Sequence, residues 1–310
     1  VSTETTAPPT ETPEVLRDER IVYGAVHLDV VDLERSLAFW RDLIGLAELA
    51  GDGGEARLGV DGRTLVVLHP GAERPASRGH AGLYHLAIHV ADAFEFARAL
   101  ARIGQARVAQ SPTDHIMSKA TYLTDPDGIL LEITLETSER FRSMEVGPGG
   151  PYVMDSEGRR RGGAEALDIA AALAPLGDGE AAGPLGSGSY IGHVHLHVPD
   201  LRVANDFYRD VIGFSEHSFL TAIGMADLSA GGRFPHRLAV NDWNGPAAVQ
   251  RPSGTAGMSH YELVLKGAGE LERLAGHTGA SELEAGDGGR RSLSLLDPAG
   301  NRIVASAPAR

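Results

Sequence analysis

Four short stretches of the chain alternate apolar and polar residues, the signature of a strand with one buried face. In 193–198, Val194, Leu196 and Val198 face one way and His193, His195 and His197 the other. In 85–90, Leu86, Ile88 and Val90 oppose His85, Ala87 and His89. The first stretch puts Ala25, His27 and Asp29 on its polar face, and the fourth puts His260 and Glu262 there. Helical spacing follows each strand. It is clearest in Leu33, Leu37, Trp40 and Ile44, where Gly45 ends the helix; Gly213 does the same in the third unit. Short strands close each unit, preceded in the second and fourth by the turns Asp125-Pro126-Asp127-Gly128 and Asp297-Pro298-Ala299-Gly300. The pattern predicts four strand–helix–strands units, at 21–70, 80–136, 190–247 and 257–306.

The units repeat. Residues 25–48 and 193–216 are identical at 12 of 24 positions with a fixed offset of 168, which marks a duplication. A weaker pair relates 83–90 (LYHLAIHV) to 258–265 (MSHYELVL). Two domains are therefore expected, 21–136 and 190–306, each of two units. Between them 137–189 is rich in Gly, Ala, Pro and Arg and reads as a linker with one short helical candidate at 164–173. The Thr-, Pro- and Glu-rich stretch 1–20 reads as a disordered lead-in, without the basic start and apolar run of a secretory signal. The expected location is the cytoplasm.

Composition narrows the chemistry. The net charge of −14 argues against nucleic acid and anionic membranes as partners. No run of apolar residues is long enough to span a bilayer. The chain has no cysteine, so a thiolate metal site and a cysteine nucleophile are excluded. Thirteen histidines stand against two lysines, Lys119 and Lys266. If an apolar strand face packs on its unit's helix, the polar face lines the concave side of a curved sheet. Three alternating histidines there would each need a satisfied partner, and a metal site answers that need.

The strand–helix opening HVHLHVPDLRVANDFYRDVIGF and the DPDG-plus-strand ending resemble the vicinal oxygen chelate superfamily of glyoxalase I, bleomycin and fosfomycin resistance proteins and type I extradiol dioxygenases. The resemblance implies an α+β fold of four βαβββ modules in two vicinal-oxygen-chelate domains, with cup-shaped half-barrel sheets. The stretches IGHVHLHVPDL, GLYHLAI, DHIMSKATYLTDPDG and the SAGG before His236 are most similar to two-domain catechol 2,3-dioxygenases of Gram-positive bacteria. By that resemblance, iron(II) is held by two strand-opening histidines and a glutamate after the DPxG turn. Carried over, these are His85, His193 and Glu132. The fourth unit has His260 but Val304 at the glutamate position, and the first has Ala25 at the histidine position. A rival set is His27, His85 and Glu132. Mn(II) is the alternative metal, since the ligand set suits both.

The resemblance also implies three further site residues. Tyr122 lies ten residues before Glu132, His115 seven before Tyr122, and His236 late in the third unit. His236 would act as acid and base, and Tyr122 would donate a hydrogen bond to the substrate. His236 is followed by Arg237, where the subgroup usually shows consecutive histidines. The implied activity is meta cleavage of catechol or a substituted catechol by dioxygen. The implied partners are a small aromatic diol, dioxygen and a second copy of the chain, as a dimer. A metal-dependent isomerase or lyase of glyoxalase type, and a small-molecule-binding resistance protein, are the alternatives.

Overall fold

An aspartate caps the helix of three of the four modules. Asp32, Asp92 and Asp200 accept hydrogen bonds from the backbone N–H of Arg35, Glu95 and Val203. In a computed structural model, which describes residues 13–50, 54–278, 283–286 and 289–309, the modules follow the expected order. Module one holds β1 (Ile21–Val30), α1 (Leu33–Leu37), β2 (Ala47–Leu49), β3 (Ala56–Val60) and β4 (Arg63–Pro70). Module two holds β5 (Gly82–His89), α2 (Ala93–Gln105), β6 (Ser111–Asp114), β7 (Ser118–Thr124) and β8 (Leu130–Glu136). The segment that follows is more than a linker. It carries β9 (Phe141–Gly147), β10 (Gly150–Asp155), β11 (Arg160–Arg161), β12 (Glu165–Ala166) and α3 (Ile169–Leu173). Module three holds β13 (Tyr190–His197), α4 (Leu201–Asp206), β14 (Ser215–Leu220), β15 (Met225–Ser229) and β16 (Leu238–Asn241). Module four holds β17 (Gly257–Leu265), α5 (Ala268–Thr278), β18 (Glu284–Gly286), β19 (Arg290–Leu296) and β20 (Arg302–Pro308).

The duplicated helices share an irregularity. Both α1 and α4 widen into a π-helical turn, over Ala38–Leu43 and Phe207–Ile212. Gly45 and Gly213 then turn the chain at φ +91° and +108°, which a side chain would disfavour.

The sheets cross the duplication. One runs β18-β19-β20-β17-β1-β4-β3-β2 and joins modules one and four; the other runs β12-β6-β7-β8-β5-β13-β16-β15-β14 and joins modules two and three. The helix–turn contacts run within each half of the chain instead. Trp40 Nε1 and Arg35 reach Asp125 and Asp127 of the module-two turn, and the Tyr208 hydroxyl donates to Asp297 of the module-four turn at 2.6 Å. Turn residues that end one module thus anchor the helix of its neighbour. The apolar face of each first strand packs on the helices, with Leu86, Ile88, Val194 and Leu196 fully enclosed. The opposite face carries the histidines, of which His27, His85, His89, His193 and His195 are also buried, so what these face must satisfy them. Among the described residues no helix is long and apolar enough to cross a membrane. Of the 1–20 stretch, residues 13–20 are described: they form a short helical turn at Glu14–Leu16 and bury Glu19 against module three.

Candidate metal centre

Three adjacent strands supply the site. β5 pairs antiparallel with β13 and parallel with β8, so His85, His193 and Glu132 project from neighbouring strands of one curved sheet. His85 Nε2 lies 3.1 Å from His193 Nε2 and 2.9 Å from Glu132 Oε2, and His193 Nε2 lies 3.0 Å from the same oxygen. Two bonds of about 2.1 Å at a right angle span ~3.0 Å, whereas a tetrahedral angle would spread them to ~3.4 Å. The donor atoms therefore fit one face of an octahedron. All three residues are buried, and among the described residues they are the one such convergence of His, Asp or Glu.

The protonation states suit a cation. Burial disfavours the charged form of His85 and of His193, so both stay neutral and keep a lone pair for a metal. Burial would raise the Glu132 carboxyl, but its contacts with the two imidazoles outweigh this and hold it well below the usual carboxylate range.

His193 is also oriented from behind. Its Nδ1 meets His89 Nε2 at 2.9 Å, and His89 Nδ1 meets Glu136 Oε1 at 2.8 Å. A carboxylate only accepts, so His89 Nδ1 carries the proton, His89 Nε2 accepts, and His193 Nδ1–H donates. That leaves His193 Nε2 bare and aimed at the site. Glu136 accepts further bonds from Tyr190 Oη and Arg237 Nη1, both at 2.6 Å, and Arg237 Nε donates to Glu19 at 2.8 Å. Burial alone would raise Glu136, but His89 and Arg237 bring it down to about 2. Gly192 makes room for this relay: a Cβ there would lie 2.0 Å from the His89 ring. His85 lacks such support, because its buried Nδ1 has no hydrogen-bond partner among the described residues. Replacing His89 with alanine should weaken divalent-metal affinity by about 10- to 100-fold. Chelator competition measures this, and an unchanged affinity would show that the relay does not orient His193.

The centre opens on a cavity of about 500 Å³. Its lining includes His85 and Glu132 together with His115, Tyr122 and His236. His236 Nδ1 donates to Asp227 at 2.6 Å, and Ser218 Oγ donates to the same carboxylate at 2.8 Å. Burial opposes charge on His236, but Asp227 outweighs it and raises the pKa above the ordinary histidine value. The Tyr122 hydroxyl lies 2.8 Å from His115 Nε2, whose Nδ1 donates to the Gly163 carbonyl at 2.7 Å. The Tyr122 O–H is therefore the donor in that pair. Asn241 holds the remaining β13 histidines: its Nδ2 donates to His195 at 2.8 Å and its Oδ1 accepts from His197 at 2.6 Å.

His27 is not brought to this group. It lies on β1 in the other sheet, stacked on His260 at 3.8 Å between ring centroids. It is bonded to His69 at 2.9 Å and to Glu262 at 3.2 Å. His69, His27, His260 and Glu262 thus form a small cluster of their own. Sequence reasoning gave no role to His89, Glu136, Asp227, Asn241 or Arg237. Only His89 carried a signal, sharing the polar face of its strand with His85; the others are identified by long-range partners that no local pattern encodes.

The comparisons agree with this architecture. A family described as Glyoxalase/Bleomycin resistance protein/Dioxygenase superfamily matches residues 23–133. A catechol-2,3-dioxygenase of Bacillus subtilis (strain 168) is 35% identical over 287 residues, covering 91% of this chain and 95% of that protein. Glyoxalase I from Zea mays has a TM-score of 0.52 at 15% identity, covering 93% of each chain. The cppA protein from Streptococcus pneumoniae TIGR4 has a TM-score of 0.51 at 14% identity, covering 94% of this chain and 99% of its own. At these identities the two structures speak to the fold alone. Four βαβββ modules and a relative alike over almost the whole chain lead to one conclusion: the chain belongs to the glyoxalase/bleomycin resistance protein/dioxygenase superfamily.

Proposed function

We propose that the protein is an extradiol dioxygenase that opens the ring of a catechol beside its two hydroxyls, using a divalent iron held by His85, His193 and Glu132. The observation that carries this reading is the buried set of two neutral imidazoles and one carboxylate, at the spacing of one octahedral face, where a cavity begins. The 35% identity to a catechol-2,3-dioxygenase supports the same reaction. Such a ligand set leaves positions free, and an Fe(II) held by His85, His193 and Glu132 would supply electron transfer between the diol and dioxygen. Both atoms of dioxygen enter the product as one ring carbon–carbon bond breaks, so no outside reductant is needed.

The chain's own residues hold the substrate and move its protons. Apolar side chains of the cavity exclude water and orient the ring. His236 takes a proton from a diol hydroxyl and returns one as the ring opens; its Nδ1 is committed to Asp227, so Nε2 does this work. Tyr122, whose O–H is given to His115, stands beside Glu132 across the β7–β8 ladder, so its oxygen is placed to accept a hydrogen bond from the substrate rather than to donate one.

Asp227 sets the charge of His236, so Asp227→Asn should lower the His236 pKa. The protonated form would then be lost at lower pH, and the alkaline limb of the kcat profile should move to lower pH. A pH–rate profile of the two proteins tests this; an unmoved limb would remove His236 as the proton donor.

The test of the activity is direct. Protein purified anaerobically and loaded with ferrous iron should turn catechol into a yellow ring-opened product on exposure to air. No ring-opened product from catechol, alkylcatechols, chlorocatechols or hydroquinones, with iron or manganese loaded, would end the dioxygenase reading.

A further inference from the structure

The walls of the cavity carry information about the substrate beyond its two hydroxyls. Among the described residues its lining contains neither lysine nor arginine. Away from the metal centre its apolar wall includes Met117, Met144, Pro151, Leu220, Ile223 and Met225, with Thr113 and Ser118 beside them. The two carboxylates in it are already engaged, Glu132 with the ligand histidines and Asp227 with His236. At about 500 Å³ the cavity falls within the range of ~300–1,000 Å³ that holds drug-sized molecules, far more than one ring with two oxygens requires. Methionine side chains are flexible and polarizable, so three of them make a wall that adapts to varied apolar shapes. Arg78 and Arg251 line a different cavity, which shares Tyr84 and Trp243 with this one as a common wall, while Arg160 is stacked on the Tyr152 ring and Arg237 is paired with Glu19 and Glu136.

Part of the wall comes from the segment between the two halves of the chain. Met144 lies on β9, Pro151 and Tyr152 on β10, and Gly163 and Ala164 just before β12. That hairpin is held firmly. The Tyr152 hydroxyl donates to Glu145 at 2.6 Å, and Arg160 stacks over the Tyr152 ring at 4.0 Å.

We infer that the site selects aromatic diols bearing an uncharged apolar substituent and excludes diols bearing a carboxylate, with the β9–β10 hairpin as part of the selecting wall. The inference rests on the dioxygenase reading for its diol and on the cavity lining for its substituent. A carboxylate placed against the apolar wall would lose its hydration there with no lysine or arginine to meet it, since His236 is already paired with Asp227, and with Glu132 as a further neighbour. An alkyl or aryl group would bury its surface against methionine, leucine and isoleucine.

The experiment compares the metal-loaded full chain on catechol, methyl-, propyl- and phenylcatechol, 3,4-dihydroxybenzoate and 3,4-dihydroxyphenylacetate. Equilibrium binding is measured anaerobically alongside kcat/KM. The carboxylated diols should bind and react at least about 100-fold less well than the alkylated ones. Carboxylated diols within about tenfold of the alkylated ones would overturn the inference. Met144→Arg, and Ile223→Arg at the more exposed rim, should each move the ratio toward the carboxylated diols by about tenfold or more; a ratio unmoved in both would show that this wall does not select. If no diol is cleaved but the binding order holds, the dioxygenase reading falls and the inference about the substituent stands.

Discussion

Replacing Glu132 with alanine should weaken retention of a divalent metal by well over about 100-fold, beyond the effect of disturbing the residues behind a ligand. Glu132 is the sole anionic donor of the three, and its Oε2 is the atom both imidazoles approach, at 2.9 and 3.0 Å. Two neutral histidines alone offer a cation no compensating charge. The variant should still fold. Burial keeps His85 and His193 neutral, so removing the carboxylate strands no buried cation. The expected result is a protein with wild-type circular dichroism, little bound metal after dialysis and no ring cleavage. Metal content and activity equal to wild type would show that the triad is wrong.

His236→Ala should behave differently. This side chain is held by Asp227 and stands against His193, with ring centroids 4.5 Å apart, yet it is not one of the three converging donors. Metal content should stay at the wild-type level, while kcat falls by about 100- to 10,000-fold, the usual contribution of a positioned acid–base group. Single-turnover measurements on metal-saturated protein read this loss directly. A loss of metal in proportion to the loss of rate would place His236 among the ligands instead.

The contrast between these two variants mirrors what was legible in the chain and what was not. Alternation of Val194, Leu196 and Val198 against three histidines marks the strand, and the DPDG turn before Glu132 marks the closing strand of module two. The grouping of His85, Glu132 and His193 is implied by the resemblance, which assigns ligands to the first and last strands of a module, and these three residues stand at those places. The meeting of modules two and three is implied by a triad drawn from both, but the joining of their strands in one sheet, and of those of modules one and four in another, had no local signal, since strand pairing across a hundred residues leaves no mark on either strand alone. The 137–189 segment concealed a hairpin because Gly and Ala dominate its composition, and its two strands, FRSMEVG and GPYVMD, show no regular apolar–polar alternation. The buried relay was hidden for a different reason. It joins Glu19, from the stretch expected to be disordered, to Arg237 and Glu136 over separations of 218 and 101 residues. Arg237, which stands where the resemblance led us to expect a second histidine, serves this relay while His236 turns to the cavity.

The central claim is that one cation binds at His85, His193 and Glu132 and that a diol reaches it there. Anaerobic titration with Co(II), followed by its visible spectrum, tests this most directly. The account predicts one equivalent per chain, a spectrum perturbed when catechol is added, and neither signal in the His193→Ala, Glu132→Ala double variant. Stoichiometric binding that survives the double variant, or a spectrum indifferent to catechol, would contradict it.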